Sequence, residues 1–166
     1  MHQAVQREAE QVRKAAGILD GSTLGKIEIK GKDALTFVNL MYTNSFTKMK
    51  PKTGRYALML GEDGMVKDDG IVCKINDQHF IVTTTTGNAA SVLAHMEEYS
   101  QTEWPNLNVY MNSITEQFAT FNLSGPKSRV IMSRVFNDID FSNDQFPFMS
   151  FNNCLLYTSP SPRDTG

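Results

Sequence analysis

The chain has 166 residues, of which 40% are hydrophobic, with 16 Lys and Arg against 18 Asp and Glu. That length suits one domain with a core, and a formal charge of -2 excludes a polybasic nucleic-acid surface and a globally disordered chain. Two cysteines, Cys73 and Cys154, are too few for a disulfide scaffold, and no apolar run approaches the roughly 20 residues that cross a bilayer.

In chain order, MHQAVQREAEQVRKAAG is too polar for a signal segment, so a soluble cytoplasmic protein is expected, without membrane or nucleic-acid partners. Val5, Ala9, Val12 and Ala16 recur at helical spacing, which predicts an amphipathic packing helix ending near Gly17. LGKIEIKG, residues 24–31, alternates imperfectly and reads as a strand stopped by Gly31. In KDALTFVNLMY, Ala34, Phe37, Val38 and Met41 share one helical face. The polar connection 44–53 carries Lys48, Lys50 and Lys52, either a solvated edge or an attractor for an acidic ligand tail.

Residues 55–86 hold three strand signals separated by Asp63-Gly64 and Asn76-Asp77, an antiparallel meander that argues against a purely parallel nucleotide-binding sheet. Residues 88–100 turn helical, with Asn88 as a candidate cap. Short strands are expected at 106–111 and 118–123, a polar turn or brief helix at 113–117, and a helix at 127–136. The fold class is α+β, an antiparallel or mixed sheet with packed helices. From Asn137 onward no regular element is expected, and CLLYTSPSPRDTG at 154–166 resembles translated cloning adapter, a non-native or disordered tail.

Chemical motifs are sparse. His2, His79 and His95 lack metal-site spacing, and no GxSxG elbow, phosphate loop or GxGxxG fingerprint occurs. No metal site is expected. Asp68-Asp69 is the sharper feature: in a regular strand adjacent carboxylates point to opposite sides, so one can face a cavity while the other holds the loop or meets solvent. From the residues alone, both an ordinary acidic turn and a functional carboxylate stay open. Thr83 to Thr86 offer hydroxyls at a strand end, Arg55-Tyr56 a charge and an aromatic wall, and Cys73 lies in an apolar run that suits packing.

GRYALMLGEDGMVKDDGIV, residues 54–72, resembles the folate-binding segment of the aminomethyltransferase family, that of the glycine-cleavage T-proteins. LDGSTLGKIEIKG, LMYTN, TTTTGNAASVLAHMEE, TEWP and LSGPKSR resemble more closely the family's branch at the C-terminal end of sarcosine oxidase alpha chains. Ser22-Thr23, where T-proteins commonly show Ser-His, favours that branch.

The resemblance implies a partial aminomethyltransferase folate-binding fold over residues 1–153, the N-terminal part of a longer domain. It also implies a catalytic role for Asp68 at the folate reaction centre, with Tyr56, Asp69 and Thr84 binding tetrahydrofolate. Flavin and NAD would sit elsewhere in the parent complex, with the other sarcosine oxidase subunits, including the flavin-bearing chain, as partners. A small-molecule amine and folate would be the reactants, and the isolated segment would have weak activity or none. A glycine-cleavage aminomethyltransferase, a dimethylglycine or sarcosine dehydrogenase segment, and a noncatalytic folate-binding protein are the alternatives.

Overall fold

The computed structural model describes residues 2–153; the expected tail at 154–166 lies outside them. The elements are α1 (His2–Lys14), β1 (Gly17–Asp20), β2 (Gly25–Lys30), α2 (Ala34–Met41), β3 (Thr53–Leu60), β4 (Val66–Asn76), β5 (His79–Thr84), α3 (Ala89–Thr102), β6 (Tyr110–Ser113), β7 (Phe121–Ser124) and α4 (Ser128–Val135). Strands β3-β4-β5-β2-β6 form a five-stranded sheet in that order, and β1 pairs with β7. Within the larger sheet β3–β4, β4–β5, β5–β2 and β2–β6 are antiparallel. The described residues divide into two compact units, 18–122 and 2–17 with 123–153.

In Ile18–Asn122 the strand period of two sorts side chains by face. Ile27 and Ile29 on β2, Ala57 and Met59 on β3, Val72 on β4, and Phe80 and Val82 on β5 are all buried. They join Ala34, Phe37, Val38 and Met41 of α2 and Val92 and Met96 of α3 in one core cluster. The spacing i, i+3, i+4, i+7 in α2 puts its four on one stripe. Enclosing a large apolar side chain of this kind contributes about 1.5–3 kcal/mol. Trp104 closes one end, edge-on to Phe37 at 6.0 Å between ring centroids.

The β3–β4 hairpin turns through Asp63, whose carboxylate accepts from the Met65 amide at 3.0 Å. Gly70 permits the close approach of β4 to β5, since a Cβ there would lie 1.9 Å from the Thr83 carbonyl oxygen. Across that approach the Ile71 amide donates to Thr83 Oγ1 at 2.8 Å. Gly25 does the same for β2, where a Cβ would lie 2.0 Å from Thr84 Oγ1 and 2.6 Å from the Ala89 Cβ.

In the other unit, the Lys127 amide donates to the Ala15 carbonyl at 2.9 Å, tying the turn before α4 to the residues after α1. The Arg129 guanidinium donates to the carbonyls of Phe141 and Phe146, whose rings stack obliquely at 5.2 Å. Residues 137–153 form no helix or strand beyond a single bridge residue at Ser150.

Several local expectations shift. Of the packing stripe expected on α1, Val5 (61%) and Ala9 are exposed and Val12 and Ala16 half-buried, and the helix ends at Lys14, before Ala16. β1 falls in a stretch without alternation and was not expected. The strand sought at 106–111 lies at Tyr110–Ser113, because the Asn108 amide and carbonyl bond Asp33 instead of a neighbouring strand. The strand sought at 118–123 lies at Phe121–Ser124. Asn88 makes no side-chain cap bond to α3, since its amide is engaged elsewhere.

Candidate functional site

The register of β3 against β4 separates the two adjacent carboxylates. Asp68 stands opposite Met59 and Asp69 opposite Leu58, so Asp68 shares the core face with Met59 while Asp69 shares the open face with Leu58 and Tyr56. Asp68 is 5% exposed. Asp69 is exposed.

Both Asp68 oxygens are held from the segment joining β5 to α3. Oδ2 accepts from the Thr85 amide at 3.2 Å, and Oδ1 accepts from Asn88 Nδ2 at 3.1 Å. The same Asn88 nitrogen donates to the Lys67 carbonyl at 3.2 Å. Among the described residues no Lys, Arg or His forms an ion pair with Asp68. Burying a carboxylate without a cation is costly, and amide donors offset part of that cost. Tyr42, itself buried, lies close enough that its phenol is pushed well above its ordinary value, by desolvation first and the Asp68 charge second.

Tyr56 and Asp69, from the open face, line a cavity of about 240 Å³ with Gly70, Ala57, Leu58, Thr43 and Asn44. Tyr56 is 65% exposed and presents an aromatic wall. A larger cavity of about 460 Å³ adjoins it through Thr43 and Asn44, with Thr36, Asn39, Ser45 and Thr47 supplying hydroxyls and an amide. Arg55, expected beside Tyr56 as a ligand charge, donates to the Ser45 carbonyl and so braces the loop that walls this second cavity.

The four-threonine run divides its work. Thr83 completes the β4–β5 seam, Thr85 holds Asp68 through its amide, and Thr86 meets Thr23 hydroxyl to hydroxyl at 3.3 Å. Thr84 is 2% exposed, and its hydroxyl donates to the Thr85 carbonyl at 3.2 Å. Thus Tyr56 and Asp69 are brought together at one cavity, whereas Asp68 and Thr84 lie on the core face by the start of α3. Asn88, Tyr42, Thr43 and Asn44 were not singled out from sequence as site residues. The last three sit inside the LMYTN stretch, whose polar end after an apolar helix was the available signal.

α3 also grips the hairpin at its tip, where the Tyr99 hydroxyl donates to Glu62 at 2.7 Å and its phenol is raised by that bond. His95 stacks obliquely on Tyr99 at 4.5 Å, and burial, then the Lys67 ammonium, hold its imidazole below 6.5. His79 bonds Glu28 at 2.9 Å, with Lys30 on the same carboxylate at 2.8 Å. Burial pushes the Cys73 thiol up. Among the described residues no group of three or more His, Cys, Asp and Glu is placed to hold a metal, and no helix is long and apolar enough to cross a membrane.

A mixed α/β fold with an antiparallel sheet and packed helices defines the class. The fold matches the glycine cleavage system aminomethyltransferase T from Bartonella henselae at a TM-score of 0.73 and 21% identity, covering 81% of this chain and 37% of that one. The family described as the GCVT N-terminal domain matches residues 1–160, and the chain belongs to that family. It is homologous to sarcosine oxidase alpha subunits. It is 50% identical over 156 residues to the subunit from Corynebacterium sp. (strain U-96), covering 94% of this chain. Against that from Rhizobium meliloti (strain 1021) it is 43% identical over 155 residues, covering 93%. The chain spans 16% of the length of each of these two relatives.

Proposed function

We propose that this chain is the folate-binding portion of a sarcosine oxidase alpha subunit, supporting oxidative demethylation of sarcosine and passage of the one-carbon unit to tetrahydrofolate. The observation that carries the site is a buried carboxylate, Asp68, with both oxygens oriented by amides and no ion pair to a cation among the described residues. Such a group is a ready counter-charge for a folate nitrogen that becomes positive as it attacks the one-carbon unit. The Tyr56–Asp69 cavity, with Asn44 in its wall, fits a flat ring that stacks on one face and hydrogen-bonds at its edge. Thr84 contributes by bonding the Thr85 carbonyl, in the peptide that follows the amide holding Asp68.

Amine oxidation belongs, on this proposal, to a flavin on a partner chain, with NAD also bound elsewhere in the assembly. Residues 1–153 are the N-terminal part of the folate domain, in a cytoplasmic complex. Keeping the one-carbon unit within the assembly limits its loss to water.

The full-length polypeptide carrying Asp68→Asn, purified with its partner chains, is expected to retain sarcosine oxidation. Its formation of 5,10-methylenetetrahydrofolate should fall about 100-fold or more. Undiminished folate product would overturn the assignment. Exposure favours a second reading, in which Asp69 is the carboxylate that exchanges a proton with the ligand, because Asp69 lines the cavity and Asp68 does not.

A further inference from the structure

We infer that Asn88 is a positioning residue that sets the orientation of the Asp68 carboxylate. This inference rests on the proposed role of Asp68. A side-chain amide has two N–H bonds, and the Asn88 nitrogen has two acceptors, the Lys67 carbonyl at 3.2 Å and Asp68 Oδ1 at 3.1 Å. The first contact is to the backbone of β4 next to Asp68, so it fixes the amide plane and aims the second N–H. The Asn88 backbone amide in turn donates to the Thr85 carbonyl at 3.1 Å. That closes the turn presenting the Thr85 N–H to Asp68 Oδ2.

One short segment therefore holds both carboxylate oxygens, and rotation of the carboxylate breaks both bonds. The segment leads into the 14-residue α3, whose N-terminal dipole favours negative charge there. Asparagine at this position is used for its donors. A helix cap would accept from the helix's own amides, and Asn88 makes no side-chain cap bond.

That difference separates a positioning role from simple packing. Asn88→Ala removes the donor. Asn88→Asp keeps the size but replaces the donor with a second carboxylate against Asp68. In the full-length complex, Asn88→Ala should lower kcat for methylenetetrahydrofolate formation about 10-fold to 100-fold, the cost of a misplaced group, with KM for tetrahydrofolate changed less than about twofold. Asn88→Asp should be worse than Asn88→Ala, and it should speed hydrogen exchange at the Thr85 amide the most. The exchanged pair Asp68→Asn with Asn88→Asp removes the carboxylate pair but leaves the Lys67 carbonyl without its donor, so it should slow exchange at Thr85 relative to Asn88→Asp alone and leave folate turnover low.

An Asn88→Ala complex with unchanged kcat, or one more impaired than Asn88→Asp in both turnover and exchange, would overturn the inference. The exchange measurements judge the clamp without reference to turnover. If Asp68→Asn alone leaves folate product intact, the functional proposal fails, whatever the exchange shows.

Discussion

Asp68 and Asp69 are neighbours in the chain and occupy different worlds. The first is buried opposite Met59, with both oxygens taken by amides; the second is exposed opposite Leu58, at the wall of a cavity beside Tyr56. The difference comes from the strand period alone: a step of one residue carries a carboxylate from a low-dielectric core to a ligand-sized opening. The core side supplies a fixed, directed charge, because its partners are rigid backbone and a doubly bonded amide. The open side supplies a surface on which a ring can stack and exchange hydrogen bonds with solvent nearby.

Two substitutions sharpen this contrast. Gly70→Ala acts on the seam that holds β4 against β5, where the new Cβ would collide with the Thr83 carbonyl. It should cost about 1–3 kcal/mol, read as a lower urea midpoint, because the obstacle is backbone and yields little. Tyr56→Ala acts on the open side. It should weaken tetrahydrofolate binding about tenfold by equilibrium titration while stability moves by less than about 0.5 kcal/mol, the behaviour of an exposed aromatic used for stacking.

The smallest effect is expected at His95, on the helix that grips the hairpin. Its folded imidazole is held below 6.5, so the unfolded chain takes up the proton first as pH falls. Its contribution to stability is fully present above pH 6.5 and is lost as pH falls through the folded value. Denaturant midpoints should drop between about pH 7.5 and about pH 5 by a smaller amount in His95→Gln than in the native sequence. Equal drops would remove His95 from the account.

The meander and its two helices were legible because their patterns are local. Alternation through residues 55–86 and the apolar stripe Ala34, Phe37, Val38 and Met41 announce themselves within a few residues. β1 was not legible: four residues, mostly exposed, pair with a strand about a hundred positions away and carry no periodicity. At the site, the opposite facing of Asp68 and Asp69 was legible, but which one faces inward depends on the register with β3. Asn88 stands at the N-cap position of α3 as expected, but its side-chain bonds were not legible for the same reason, since its acceptors lie 20 and 21 positions back along the chain. A residue type shows what a side chain can donate; only the fold shows to what.

The contrast is tested most directly by comparing Asp68→Asn with Asp69→Asn in the full-length complex, with sarcosine oxidation and methylenetetrahydrofolate formation followed in the same reaction. Both variants are expected to oxidise sarcosine. Asp68→Asn should uncouple oxidation from folate product about 100-fold or more, whereas Asp69→Asn should chiefly raise the tetrahydrofolate concentration required. Uncoupling by Asp69→Asn, with Asp68→Asn still producing methylenetetrahydrofolate at the native rate, would contradict the Asp68 assignment and move the reaction centre to the open face.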